Sequence, residues 1–276
     1  MNFSDIHLER RVGKTRSLIL LCVLIGLISP PIYLYFFVYN NPSIALLRDQ
    51  YVKTIVDPET KKATYEITLN KPNTWVPLSQ ISKNAVQCIV ISEDSAFYTH
   101  DGVDYEQLRL ALEESWSKKH WIRGASTITQ QMAKNVFLGQ QKTLWRKIKE
   151  IVMAWAIERQ LPKKRILEIY LNVIEFGRGI YGVENAARYY FNRSPAELTL
   201  KEGAFLAMLL PNPVRYSQSF QKGELSSYAE KTINSILIKL LSSHHVEEDE
   251  YYSALGERLS FEKIEEAPPA DWPESE

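Results

Sequence analysis

The chain has 276 residues, 45% of them apolar and 24% charged, enough to bury one good-sized core, alone or with a small appendage, and a tight fit for two full domains. Its net charge of zero hides an asymmetry: residues 246–276 hold eleven Asp and Glu against Arg258 and Lys263, which leaves 31 basic and 22 acidic residues in positions 1–245. A basic body suits an anionic partner, and two cysteines, Cys22 and Cys88, exclude a disulfide framework.

The first element in the chain is an uncharged apolar run from Ser17 to Tyr39, which at about 1.5 Å per residue crosses a hydrocarbon core about 30 Å thick. It predicts one transmembrane helix over 17–39. The run exceeds the roughly 7–15 residues of a signal-peptide core and ends in aromatics in place of a small-x-small cleavage site, so an uncleaved anchor is the expectation. Tyr33, Tyr35 and Tyr39 form an aromatic belt at one interface, while Arg10, Arg11, Lys14 and Arg16 place residues 1–16 in the cytoplasm. Everything after residue 40 is then outside the cytoplasm of a single-pass inner-membrane protein. That topology removes nucleic acid as a partner.

Residues 40–74 form a membrane-proximal linker in which 51–56 and 63–69, rich in Val, Ile, Thr and Tyr, flank Asp57-Pro58-Glu59-Thr60 and predict a β-hairpin. From Ser82 onward the periodicity is helical, so a domain over 75–245 is mainly α. Val86, Ile89 and Val90 make one apolar stripe; Leu144, Ile148, Ile151, Val152 and Trp155 make another. Pro162 ends the second helix and Lys163 opens the next. Pro195 starts a further helix that runs through Ala204–Leu210 to Pro211, and a last one covers Tyr228–Leu241. Residues 246–276 read as an acidic tail with a short surface helix near Glu247–Leu259.

Five sequence blocks carry the chemistry. They are Glu93-Asp94-Ser95-Ala96-Phe97-Tyr98-Thr99-His100-Asp101-Gly102, the stretch Gly124-Ala125-Ser126-Thr127-Ile128-Thr129-Gln130-Gln131-Met132-Ala133-Lys134-Asn135, Arg146-Lys147-Ile148-Lys149-Glu150, the stretch Lys163–Asn172, and Gly179–Gly182 leading into Ala186–Phe191. In order and spacing they resemble the signature blocks of the peptidoglycan glycosyltransferases, glycosyltransferase family 51, over about residues 75–217. The resemblance implies a lysozyme-like, two-lobed, mainly helical domain that polymerises lipid II. Its implied partners are lipid II, the growing glycan chain, the membrane and other cell-wall synthesis or division proteins.

Joining a sugar to a lipid-diphosphate-linked donor needs a base for the attacking hydroxyl and cations for the departing diphosphate. Glu93, at the end of an apolar helix, is the expected base, and the resemblance implies the same role. Asp94, Phe97 and His100 complete the first block as substrate-side candidates, although a single His beside an aromatic more often orders a loop. In the second block Gly124, Ser126, Thr127, Gln130, Gln131 and Asn135 are substrate-binding candidates. Thr127 and Gln130 have capping-box spacing, and a helix start attracts phosphate. Lys134 matches the family's pyrophosphate-binding lysine.

Arg146, Lys147 and Glu150 share one helical turn, where Arg146 and Glu150 alone would be an ordinary ion pair worth about 0.2–0.5 kcal/mol. The resemblance makes Glu150 the second active-site carboxylate, orienting the donor or binding a divalent cation. No metal or cofactor is built in; any Mg²⁺ or Mn²⁺ would arrive with the diphosphate, against Glu150. Lys163 at its helix start is a further ligand candidate. Lys142 stands where the family has an arginine, keeping the charge but losing the bidentate fork, and Asn192-Arg193 replaces a Gly-Lys pair. The apolar and basic stretch from Leu108 to Arg123 is a flap dipping into the outer leaflet, by the same resemblance. Two rivals remain, a glycan-cleaving lysozyme-like enzyme and a non-enzymatic scaffold. The cation set weighs against the first, and the intact Glu93 and Glu150 against the second.

Overall fold

The computed structural model describes residues 19–33, 35–36, 41–118, 126–139 and 143–263, the side chains of 112 and 115–118 excepted. Residues 19–33 form helix α1, exposed along its length. Among the described residues no helix is long and apolar enough to cross a membrane. Residues 17, 18, 34 and 37–39 of the expected span lie outside them.

Helix α2 (Pro42–Leu46) leads into the antiparallel strands β1 (Tyr51–Val56) and β2 (Ala63–Thr68), paired from Tyr51↔Thr68 to Val56↔Ala63. Asp57 builds the turn: its Oδ1 accepts from the amides of Glu59 at 3.1 Å and Thr60 at 2.6 Å. Arg165 fastens this region to the domain, lying 5.3 Å from the Trp75 ring and donating to the Leu47 carbonyl at 2.8 Å.

The rest is mainly helical: α3 (Lys83–Glu93), α4 (Tyr105–Lys118), α5 (Ile128–Ala133) continuing as a π turn (Lys134–Leu138), α6 (Leu144–Gln160), α7 (Lys163–Val173), α8 (Val183–Phe191), α9 (Leu200–Leu209), α10 (Pro213–Tyr216), α11 (Gln218–Lys222), α12 (Ser227–Ser242) and α13 (Glu248–Gly256). Between α7 and α8, strands β3 (Glu175–Gly177) and β4 (Ile180–Tyr181) form a second hairpin, too short to leave a period-two pattern in the sequence. One group of packed helices is α3, α9 and α12; another is α5, α6 and α7. The first group depends on a small residue, because a Cβ added at Gly203 of α9 would lie 2.6 Å from the Cα of Ala85 in α3.

Two sequence expectations change, and the α6 stripe divides. Val152 packs against the core, where Glu150, Met153, Ala154, Ala156 and Ile157 are buried, whereas Leu144 is 87% exposed and Ile148 45%. An apolar stripe reports that a helix is amphipathic, not which medium it meets. Pro195 opens only a short 3-10 turn, and the next helix starts at Leu200 under a Thr199–Glu202 capping box. Finally, residues 246–263 pack onto the body despite their charge. Val246, Ala254 and Leu259 are buried, Phe261 meets Phe205 at 5.1 Å, and Thr199 donates to Glu257 at 2.6 Å.

Gly203→Ala should therefore force α3 and α9 apart and destabilise the fold by about 1–3 kcal/mol. Urea unfolding of the variant beside the parent protein measures this directly.

Candidate active site

Helix α3 ends at Glu93 because Asp94 leaves helical geometry, with φ −162° and ψ 73°. Asp94 is buried and both its oxygens are used: Oδ1 bonds His100 Nε2 at 2.8 Å, and Oδ2 accepts the amide of Ile128, the first residue of α5, at 3.0 Å. The Gly102 amide donates to His100 Nδ1 at 3.2 Å, so the ring's proton sits on Nε2 and points at Asp94. His100 thus orders the loop. Gly102 has φ +89°, and a Cβ there would lie 3.0 Å from the Ala154 backbone of α6.

The start of α5 is a full capping box. Thr127 Oγ1 accepts from Gln130 N, Gln130 Oε1 accepts from Thr127 N at 3.1 Å, and the Thr127 hydroxyl donates to the Gly102 carbonyl at 2.6 Å. These contacts, with Asp94 on the Ile128 amide, occupy donors that a phosphate would otherwise take. Gln130 is buried in this role. Phe97 is fully buried and belongs to the core.

Behind this junction lies a group the sequence blocks did not single out. Glu158 of α6 accepts from Thr129 Oγ1 at 2.5 Å and from Lys163 Nζ at 2.8 Å, while Lys163 Nζ also donates to the His100 carbonyl at 2.6 Å. Lys163 further lies 4.5 Å from the Phe97 ring centre. It braces the loop from behind instead of reaching into the cleft. Its partners are residues of other blocks and of α6 itself, which helix-start position alone does not reveal.

On the cleft side, Gln131 Nε2 donates to Glu93 Oε2 at 2.7 Å, and the Tyr170 hydroxyl donates to Gln131 Oε1 at 3.3 Å. Burial and the nearby Glu93 and Asp94 charges push the Tyr170 phenol well above its ordinary range, so it stays a donor. Burial also raises the Glu93 carboxyl above its ordinary 4.5, with Asp94 adding to the rise and Gln131 and Lys134 opposing it. Glu93 lines a cleft of about 470 Å³ together with Ser126, Thr127, Asp104, Gln107 and Lys239. Lys239 comes from α12, far from any of the five blocks.

Next to Ser126 the charge changes sign. Lys147 Nζ donates to Ser126 Oγ at 2.8 Å and also binds one oxygen of the buried Glu150, whose other oxygen is held by Arg146. Lys134, in the π turn with the half-buried Asn135, is lowered from its ordinary 10.5 by burial; Glu150 opposes this, and Arg146 and Lys147 reinforce it. Glu93 is near enough to pull on Lys134 as well. Three cations thus surround one buried carboxylate beside a second carboxylate that is partly desolvated. A third, Glu175 of β3, is raised by burial and also feels Lys134; its amide partner is Gly179 at 3.3 Å. Only the short second hairpin places it there.

Glu150 does not fit a divalent cation, because both of its oxygens already face positive side chains. Among the described residues no group of three or more His, Cys, Asp or Glu could hold a metal ion. Gly124 and Lys142 lie outside the described residues, as does the flap from 119 to 125.

A family profile described as Transglycosylase matches residues 60–240, so the chain belongs to the transglycosylase family. A biosynthetic peptidoglycan transglycosylase of Bordetella pertussis is 46% identical over 157 residues, covering 55% of this chain and 65% of that protein. Its counterpart in Methylobacillus flagellatus is 42% identical over 144 residues, covering 52% and 63%. The chain thus spans somewhat less than two thirds of these relatives. A crystal structure of penicillin-binding protein 1A from Haemophilus influenzae aligns over 37% of this chain and 15% of that one at 37% identity, with a TM-score of 0.31, too low to bear on the fold.

Two outcomes follow from this geometry. Because the folded-state value of Glu93 is raised, stability tied to its proton is complete below pH 4.5 and is lost as pH rises through the raised value. Glu93→Gln should therefore melt about 2–4 °C higher than the parent at pH 7. Scanning calorimetry should show the difference closing below pH 4.5. Glu158→Ala strands Lys163 and should cost about 3–5 kcal/mol in chemical denaturation.

Proposed function

We propose that this chain is a membrane-anchored peptidoglycan glycosyltransferase that polymerises lipid II into β-1,4-linked glycan and releases undecaprenyl diphosphate. The observation that carries the reading is one desolvated carboxylate, Glu93, on the wall of a cleft whose Ser126 is bonded by Lys147 of the cation group, with Lys134 of that group within electrostatic reach of Glu93. In this reading Glu93 takes the proton of the acceptor's 4-hydroxyl as that oxygen attacks the donor's anomeric carbon. The bond to the diphosphate breaks on the opposite face, inverting the centre, and the cations hold the departing charge. Glu150 keeps Arg146 and Lys147 in place. The frame is a lysozyme-like, two-lobed domain over residues 75–245.

The outward stripe of α6 supports a membrane-surface location. Leu144, Trp145, Ile148 and Trp155 are exposed on the same helix that carries Arg146, Lys147 and Glu150, so an apolar surface stands beside the diphosphate-binding charges. A lipid-linked substrate needs both at once. Helix α1 falls within the proposed 17–39 anchor, with the basic residues before it on the cytoplasmic side. The catalytic domain is then extracytoplasmic.

The deciding assay is purified full-length protein with lipid II alone, read as polymer together with free polyprenyl diphosphate. Glu93→Gln should lower the rate by about 10²–10⁴-fold with its fold intact. Release of sugar fragments from cell-wall sacculi without diphosphate would instead identify a glycan-cleaving enzyme. The pH profile of kcat/KM should rise from an acid limb above pH 4.5, as Glu93 loses its proton, and fall on an alkaline limb below pH 10.5, as Lys134 does.

A further inference from the structure

At the other end of α12 from the Glu93 cleft, helices α9 to α12 enclose a hollow of about 350 Å³, lined by Met208, Arg215, Tyr216, Lys222, Glu224 and Tyr228 among others. Tyr216 and Tyr228 stack with ring centres 4.8 Å apart and planes 27° apart, and half of Tyr228 is exposed. Arg215 and Lys222 pair with no carboxylate among the described residues. Glu224 is the acidic member of this lining.

The last described residue lies beside this hollow. Lys263 donates its amide to the Gly223 carbonyl at 2.9 Å, and its side chain runs across Gly223, where an added Cβ would meet Lys263 Cε at 3.1 Å. Gly223 stands between Lys222 and Glu224, both of which line the hollow. Residues 264–276 carry Glu265, Glu266, Asp271, Glu274 and Glu276 with no Lys or Arg, and include Pro268, Pro269, Pro273 and Trp272. At about 3.1 Å per residue thirteen residues can reach at most about 40 Å, enough to cross the hollow.

The two partners match in chemistry. Proline-rich segments lose little entropy on docking against aromatic faces, and carboxylates suit a guanidinium and an ammonium that pair with no described carboxylate. We propose that residues 264–276 dock in cis in this hollow, with proline and Trp272 rings against Tyr216 and Tyr228 and acidic side chains against Arg215 and Lys222. Tethering at Lys263 keeps the segment at millimolar effective concentration, so a contact that would be weak between separate molecules is mostly closed here. The docked segment holds residues 246–263 onto α9 and covers an aromatic pair that would otherwise face solvent.

Hydrogen–deuterium exchange of three proteins tests this: the full chain, a chain ended after Lys263, and the full chain with R215E/K222E. Amides of residues 213–230 should exchange about tenfold faster in the second and third than in the first, for an intrinsic affinity near 0.1 mM. Amides of α3 and α9 should be unchanged and serve as the control for folding. Free peptide 264–276 should restore protection to the shortened chain. Equal exchange in the full and shortened chains overturns the proposal, as does protection that survives R215E/K222E. So does protection of the shortened chain by anionic vesicles but not by the peptide, which would make a lipid surface the occupant. None of these changes touches the Glu93 cleft, so lipid II polymerisation should persist in all three proteins.

Discussion

The arrangement depends on Asp94. One buried carboxylate ends α3, receives the His100 ring six residues on and takes the first amide of α5, so the helix end, the following loop and α5 meet at a fixed angle. Glu93 is the preceding residue and inherits that rigidity. Its contact with Gln131 exists only because α5 starts where Asp94 and the Thr127–Gln130 capping box hold it. Behind the junction, Glu158 and Lys163 fill the space that the loop spans and keep its carbonyls and hydroxyls partnered.

Around this frame, charges are used in two different ways. Those of Asp94, Glu158 and Lys163 are fully spent on neighbours and act as structural joints. Those near the cleft are left strained: burial works against the charged forms of both Glu93 and Lys134, and each is only partly compensated by the other. Structural ion pairs lower the free energy of the fold, whereas a desolvated base and a desolvated ammonium raise it while making proton uptake and anion binding more favourable. The contrast between neighbouring residues 93 and 94 is the sharpest case, since two adjacent carboxylates have opposite duties.

Much of this was legible in the sequence, and the reasons differ by residue. The β1–β2 hairpin announces itself through Asp57-Pro58 between two β-branched runs, and the α5 cap through Thr127 and Gln130, because turn and cap chemistry is local. Glu93, Gln131, Lys134, Arg146, Lys147 and Glu150 lie near one another in the structure. Asp94, Phe97 and Lys163 were readable as members of those blocks but not as supports, since burial and partner choice are tertiary. Lys239, Glu175 and Glu158 carry no local signature. The first reaches the cleft from α12, the second sits on a hairpin of two short strands, and the third is one acidic residue on a helix rich in charge. The direction of the α6 stripe had no local signature either, because the same apolar spacing serves a core or a lipid surface.

The bond from Gln131 also makes the two oxygens of Glu93 unequal. Oε2 is tied to an amide whose own orientation is set by the Tyr170 hydroxyl, while Oε1 has no protein donor among the described residues. On the proposed chemistry, an incoming sugar hydroxyl is therefore met by one oxygen in one orientation, and the handedness of its approach is decided before any substrate binds. A tyrosine fully inside the core, with no contact to solvent, thereby helps fix which Glu93 oxygen is left without a protein donor.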